Sequence, residues 1–279
     1  MNDHQRKLIK RFFKNKLGVL GALLVVLVIL LAIFAPIISP YTPEEMNMLY
    51  KRQAPQKSFI FGTDKFGRDI FSRIIYGSRV SLTVGIISVG IGVFFGIILG
   101  LYSGYTGSII DNIIMWFMDM LMSFPSILLA LVVITVLGSS LENTMSAIGI
   151  TYVPTFTRIV RGSVMEVKDQ EFVEAAEAIG SGESKILFKH ILPNVMAPII
   201  VQATLALSGA ILTEATLSFL GLGVQPPMPS WGAMLSDSRS YMELAPWTVI
   251  FPSLAIMFSV LGFNILGDGL RDVLDPKLQ

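Results

Sequence analysis

Residues 17–38 read LGVLGALLVVLVILLAIFAPII, an apolar run without one charged side chain. As an α-helix rising 1.5 Å per residue it is about 33 Å long, enough to cross a hydrocarbon core of about 30 Å. A cleaved leader carries a shorter apolar region, about 7–15 residues, and a small-x-small cleavage site. This run is longer, and Pro36 follows Ala35 where cleavage is expected, so it reads as a retained membrane helix. Residues 1–16 carry Arg6, Lys7, Lys10, Arg11, Lys14 and Lys16. Such a cluster directly before a span holds the N-terminus in the cytoplasm.

Further apolar runs follow at Val80–Leu101, Ile113–Leu137 (with Asp119 and Pro125 inside), Thr144–Val160 (weaker, broken by Pro154), Val195–Leu222 (with Glu214) and Trp247–Leu266 (with Pro252 and Asn264). The expectation is an all-α membrane protein of six transmembrane helices with both termini cytoplasmic. On that topology the inner segments hold more Lys and Arg than the outer ones, although the first outer loop is itself basic. Of the 279 residues 53% are hydrophobic and only 15% charged, against about 25% charged in soluble domains. The net charge of +1 offers no basic excess for a nucleic acid. Without cysteine there is no disulfide, thiolate site or cysteine nucleophile. His4 and His190 are the only histidines, too few for a multi-histidine metal cage.

One long polar stretch interrupts this chain. Residues 161–194 fall on the cytoplasmic side and include EAAEAIGSGESKILFKHILPN, Glu174–Asn194. Its spacing predicts two short helices and a turn. Asp169 caps the first, Glu171 and Glu174 suit its positive N-terminal end, and Gly180 stops it as a left-handed residue. Ser181 caps the second, which carries Lys189 and His190 near its end and stops at Pro193. Phe172, Ala176 and Ile179 share one face of the first helix, with Ala175 beside them. Spacing alone leaves two alternatives, a surface prepared for a partner and a solvated loop over the helix ends. The GSGESK segment is not a phosphate-binding loop, because the G-x-x-x-x-G-K-[ST] spacing and the preceding strand are both missing.

The same stretch resembles the EAA loop of the inner-membrane components of binding-protein-dependent ABC importers. Glu174, Ala175, Ala176, Gly180, Leu192 and Pro193 fall on that pattern. The segments 11–41, 61–82 (FGTDKFGRDIFSRIIYGSRVSL), 123–130 (SFPSILLA), 212–232 (LTEATLSFLGLGVQPPMPSWG) and 266–278 (LGDGLRDVLDPKL) resemble the C-type permease subunit of dipeptide, oligopeptide and nickel importers. The resemblance implies a type-1 permease core over residues 76–279, with a cytoplasmic coupling loop at 166–194. Residues 1–75 then form a basic tail, an added first helix and an extracytoplasmic linker. It implies a non-enzymatic transporter subunit in a bacterial or archaeal cell membrane, with no cofactor or metal of its own. ATP and magnesium are used by two separate cytosolic ATPase subunits. The further partners are a second homologous permease chain, an extracytoplasmic substrate-binding protein and membrane lipid. Peptides are the expected cargo, with nickel or another small solute as the alternative.

Within the spans, Gly92, Gly96, Gly100 and Gly104 recur every four residues and make a ridge for close helix packing. Asp119 and Glu214 are candidates for a pathway or gate, since a charge at mid-membrane costs roughly 2.5–3.5 kcal/mol on insertion scales and faces protein or water. The competing roles are a position near the interface for Asp119 and a locally paired structural acid for either. Trp231, Tyr241 and Trp247 are expected as interface anchors, and QPPMPSWGAML (225–235) as a re-entrant or surface-lying loop. An ion-coupled secondary transporter would place its ion site among Asp119, Glu214 and Asn264. A membrane enzyme would need a catalytic constellation that the sequence does not display.

Overall fold

The computed structural model of the chain describes residues 10–107 and 109–274. Arg6 and Lys7 of the basic cluster, His4, residues 275–278 of the last motif and both termini lie outside the described residues. The secondary structure is helical, with no strands among the described residues beyond two isolated bridges near 56–69.

The first apolar run forms α1, Lys16–Ile33, capped by the Asn15 side chain, which accepts from the Gly18 N–H at 3.0 Å. A break at Phe34 leads to α2, Ala35–Ile38, with Pro36 in its first turn. After a long connection comes α3, Ile70–Thr106, the longest helix at 37 residues. Asp69 caps it: Oδ2 accepts from the Ser72 N–H at 2.8 Å and from its hydroxyl at 2.7 Å. Gly107, at φ +55°, ends it.

The third run is not one straight span. It divides into α4, Ile109–Met122, and α5, Ser126–Leu137, bent by 92°. Pro125 has no N–H to continue the ladder, and its ring pushes Phe124 out of the helical region. The fourth run differs in the opposite sense. Pro154 does not break it: α6, Leu141–Val167, is continuous over 27 residues. Its first turn is fixed by Ser140, whose hydroxyl accepts from the Asn143 N–H, and by the Asn143 amide reaching back to the carbonyls of Leu137 and Gly138. This helix is polar for a span because it lies inside the bundle, with Ile148, Phe156, Val160 and Val164 fully buried. A helix enclosed by protein does not need an apolar outer face.

Two short helices, α7 (Glu171–Ala178) and α8 (Glu183–Lys185), precede α9, Met196–Phe219. Then come α10, Trp231–Ser238, and α11, Trp247–Leu274. Among the described residues, four helical runs are long and apolar enough to cross a membrane: α1, α3, Glu183–Phe219 and α11. The bent α4–α5 pair makes a fifth if it counts as one span.

The main core packs α3, α5, α6 and α9 around Val84, Leu101, Ile134, Phe156 and Leu217. A smaller core joins α1 to α3, α9 and α11 through Val25, Val28, Leu82, Ile211 and Phe263. Here a second glycine seam appears. A Cβ on Gly21 would lie 2.5 Å from the Leu266 nitrogen, and one on Gly269 would lie 2.5 Å from the Gly18 Cα.

Of the expected aromatic anchors, Trp231 and Tyr241 are buried in the protein and Trp247 is half-buried. Trp231 donates its indole N–H to the Ile74 carbonyl at 3.0 Å, and Trp247 donates to the Thr63 carbonyl at 3.2 Å. The proline-rich stretch ends where Ser230 caps α10, and Trp231–Ser238 is helical and packed against α9 and α11. A buried indole needs a hydrogen-bond partner, and these carbonyls supply it in place of the membrane interface.

Candidate functional site

Helix α7 carries Glu174, Ala175 and Ala176. Its N-cap is Gln170, without a side-chain hydrogen bond, so Asp169 does not cap it. Glu171 and Glu174 sit in the first turn, where the helix dipole favours negative charge. The C-terminal end is a complete Schellman motif: Gly180, at φ +74°, donates to Glu177 O at 2.8 Å, and Ser181 N–H reaches Ala176 O at 3.0 Å. Only a residue that tolerates positive φ closes the helix in this way.

The helix has two sides. Val173 and Ala176 are buried against Ile186, Leu187 and Ile191, and Phe172 packs beside them. Glu174, Ala175 and Ala178 face out, and Ile179 is 79% exposed. The structure therefore separates Ile179 from Phe172 and Ala176, which the spacing had put on one face. The helix stops at Ala178, and Ile179 is its C-cap at φ −83°, ψ 6°, outside the helical register that the spacing assumed.

The second half also departs from expectation. The N-cap of α8 is Gly182, without a side-chain bond, and not Ser181. After one turn the chain winds as a π-helix over Ile186–Ile191 and a 3₁₀ turn over Leu192–Val195, and passes directly into α9. Pro193 does not stop the helix. It lacks an N–H, and the wider winding before it absorbs the gap, with Leu192 N–H bonding back to Leu187 O. Leu192 is half-buried against the core, while Pro193 and Phe188 are exposed. Helix α7 thus packs against a helical run that is continuous from Glu183 to Phe219.

Two further links tie this end to the bundle. The Tyr105 hydroxyl of α3 donates to Glu177 at 2.7 Å. Arg161 of α6 grips Asp111 of α4 with two hydrogen bonds of 2.6 Å, and Ser103 of α3 donates to the same carboxylate. Asp119, on the exposed side of α4, pairs with Arg158 of α6. Glu214 is fully buried in α9 and accepts from Ser218 at 2.7 Å and from Ser81 of α3 at 3.3 Å. Asn264 accepts from Ser208 at 2.6 Å. Asp119, Glu214 and Asn264 thus have different partners and do not form one cluster by any hydrogen bond.

The four ridge glycines face α6. A Cβ added at Gly92, Gly96, Gly100 or Gly104 would lie 2.6, 2.3, 2.6 or 2.8 Å from the Cβ of Tyr152, Phe156, Val160 or Val164 respectively. The partners also recur every four residues, so one ridge lies along another.

Sequence reasoning missed an ion cluster at the opposite end of α3, roughly 55 Å from Thr106 at 1.5 Å per residue. Arg68 bonds Asp64 at 2.6 Å and Asp237 at 3.2 Å, and Lys65 bonds Asp237 at 2.8 Å. It fastens α10 to the segment before α3. The signal was the opposite-charge i,i+4 pair in DKFGRD, whose long-range partner Asp237 no local pattern discloses.

Residues 92–279 match the family described as binding-protein-dependent transport system inner membrane component, and residues 6–55 match the N-terminal transmembrane domain of oligopeptide transport permease C. The chain is 51% identical over 274 residues to the dipeptide transport system permease protein DppC of Alkalihalophilus pseudofirmus, covering 98% of this chain and 90% of the relative. It is 46% identical to the glutathione transport system permease protein GsiD of Pectobacterium atrosepticum, covering 98% and 91%. It is 45% identical to the di/tripeptide transport system permease protein DppC of Pseudomonas aeruginosa, covering 96% and 90%. With a family match over most of its length and relatives aligned nearly end to end, this multi-pass membrane protein belongs to the inner-membrane permease components of binding-protein-dependent ABC importers.

Proposed function

We propose that this chain is one half of the membrane channel of a peptide importer and that α7 is its contact with a cytosolic ATPase. The carrying observation is the two-sided α7: Val173 and Ala176 anchor it to the permease, while Glu174, Ala175 and Ile179 stand free at the surface. A soluble binding protein delivers substrate outside. A second homologous permease chain completes the pore. Two ATPase subunits, using ATP and magnesium, drive alternating access. Leu192, half-buried against the core, and Pro193, exposed beside it, sit where the coupling stretch joins α9, so they pass the movement on to that helix.

Peptides are the cargo on this reading, because the relatives are named for dipeptides, di/tripeptides and glutathione. The test is uptake of a labelled dipeptide into proteoliposomes holding both permease chains, the ATPases and the binding protein. Uptake should require ATP and survive collapse of ion gradients. A binding protein that takes nickel chelates and no peptide contradicts the substrate. Uptake that persists without ATP and fails with the ion gradient contradicts the class. Asp119 and Glu214 are then structural, the first paired near a helix surface and the second a buried tie between α9 and α3.

The topology that accompanies this reading has six spans, counting the bent α4–α5 pair and α6, with both termini in the cytoplasm of a bacterial or archaeal cell. Residues 1–75 form the added N-terminal unit and 76–279 the permease core, with the coupling loop at 166–194. Lys57 is exposed in the linker and the chain has no cysteine. Lys57→Cys should be labelled from outside the cell by an impermeant maleimide. Labelling only from inside contradicts the topology.

A further inference from the structure

The segment before α3 forms a cavity of about 190 Å³, open to solvent on one side and lined by Tyr41, Glu45, Asn47, Tyr50, Phe59 and Asp69 among others. Its walls are largely aromatic, and its polar side chains are the carboxylates of Glu45 and Asp69, the Asn47 amide and the hydroxyls of Ser58, Tyr41 and Tyr50. The Tyr41 and Tyr50 rings flank Phe59 at centroid distances of 5.3 and 5.4 Å. Tyr41 is held by its hydroxyl, which donates to Ser58 O at 3.1 Å, and by its N–H, which donates to the Ser72 hydroxyl at 3.3 Å. Gly67, at φ +74°, lets the backbone close in from below: a Cβ there would lie 1.8 Å from the Asn47 carbonyl oxygen. The site is built from residues on both sides of a tight approach, and not from one loop.

Asp69 is the unusual member. It is only 3% exposed, and Oδ2 is used in capping α3, but Oδ1 is buried with no hydrogen-bond partner. A buried carboxylate oxygen without a donor is unfavourable, and such groups in native proteins generally have a partner. Neither Asp69 nor Glu45 forms an ion pair with any cation among the described residues. Arg68 and Arg73, in the same layer, are engaged by Asp64, Asp237 and the Pro43 carbonyl. The positive end of α3 contributes about half a unit charge, which two carboxylates exceed. The two carboxylates and the aromatic faces are therefore available as partners for one positive charge. Burial also pushes the Asp69 carboxyl above its ordinary range, against the Ser72 hydrogen bonds that lower it, and a cation beside it would favour the ionised form.

We propose that this cavity binds a primary ammonium group on a slender stem, its charge between Asp69 and Glu45 and its carbons against the Tyr41 and Phe59 rings. Aromatic faces attract organic cations through their quadrupole. At about 10–15 Å³ of cavity volume per water, the space has room for an ammonium with a few attached carbons. No group of three acidic or histidine ligands that could hold a metal exists among the described residues. The inference concerns the linker and does not depend on which solute the importer carries.

The test is saturation-transfer NMR on the purified full chain in lipid nanodiscs, with n-butylammonium as probe and n-butanol as its neutral match. Butylammonium should bind saturably and butanol should not. Asp69→Asn keeps an N-cap acceptor for Ser72 and removes the charge, and should weaken binding tenfold or more. Glu45→Gln, at an exposed position where folding is not at stake, should weaken it severalfold. Glycylglycine competing with the probe while its N-acetyl form does not would identify peptide N-termini as a source. Competition by neither would assign the site to simple amines. Equal binding of butanol, no binding of butylammonium, or wild-type affinity in both variants overturns the proposal.

Discussion

At the seam between α3 and α6, Gly92, Gly96, Gly100 and Gly104 each face a β-carbon of the neighbouring helix at less than ordinary contact distance for any added atom. On the coupling stretch, Gly180 and Gly182 have nothing within 4 Å of where a Cβ would stand, and Ala175 and Ala178 are exposed. Both regions use small residues, for opposite ends. In the seam, smallness has already been used by the chain itself, which brings two backbones together. On the coupling stretch the space is left open, and in the proposed function a partner's surface fills it. Small residues therefore signal close approach, and only the structure says whether the approaching surface belongs to the same chain.

Substitutions at the two regions should separate them sharply. The largest effect is expected from Gly96→Leu. Even a methyl there would sit 2.3 Å from Phe156 Cβ and 3.0 Å from the Phe156 backbone, which cannot swing aside. Overpacking typically costs about 1–3 kcal/mol, occasionally more, and this site belongs at the upper end. Yield and thermal unfolding in detergent should both fall, and Gly96→Ala should already be impaired. Unchanged stability would mean that α3 and α6 do not touch.

Next in size is Asp111→Ala. It leaves Arg161, which is largely covered, without its two 2.6 Å partners. Removing one member of a buried pair costs about 3–5 kcal/mol; this pair is partly exposed, so about 1–2 kcal/mol is expected. The loss should be read as a lower unfolding temperature with α4 loosened from α6, detected by faster proteolysis within α4.

Gly180→Val should cost only about 1–2 kcal/mol locally, since a β-branched residue resists positive φ. It meets no neighbour, so membrane insertion should be normal. Transport should nevertheless fall well below that of Gly180→Ala, because the end of α7 is displaced. Equal transport in the two variants would detach the turn from function. The smallest structural effect is expected from Ile179→Ser, within about 0.5 kcal/mol for an exposed site. Its ATP-driven uptake should still drop, since it removes an exposed apolar contact.

The two regions were not equally legible in sequence. The four-residue glycine repeat foretold a close helix seam, because that repeat is a local property of one helix. Its partners Tyr152, Phe156, Val160 and Val164 were not foreseeable, since α6 looked weak and was expected to break at Pro154. A core helix shielded by protein is under no pressure to look apolar. The left-handed turn at Gly180 was readable for the same local reason as the repeat. The caps at Asp169 and Ser181 were misplaced by one residue each, and no local rule signalled the π winding that carries the chain past Pro193. The α1–α11 seam shows the same limit: Gly18 and Gly21 are close in sequence, but Gly262 and Gly269 lie some 240 residues away.

The central claim is that α7 presents one side to the permease and the other to an ATPase. The chain contains no cysteine, so single cysteines at Val173 and Ala175 can be compared directly, using a short bifunctional maleimide in the assembled complex. The two residues are neighbours on the same helix, one fully buried and the other exposed. The account predicts that Ala175→Cys cross-links to the ATPase subunit in high yield, and that Val173→Cys does not. Equal cross-linking from both positions, or none from Ala175→Cys in a complex that hydrolyses ATP and transports, would contradict it.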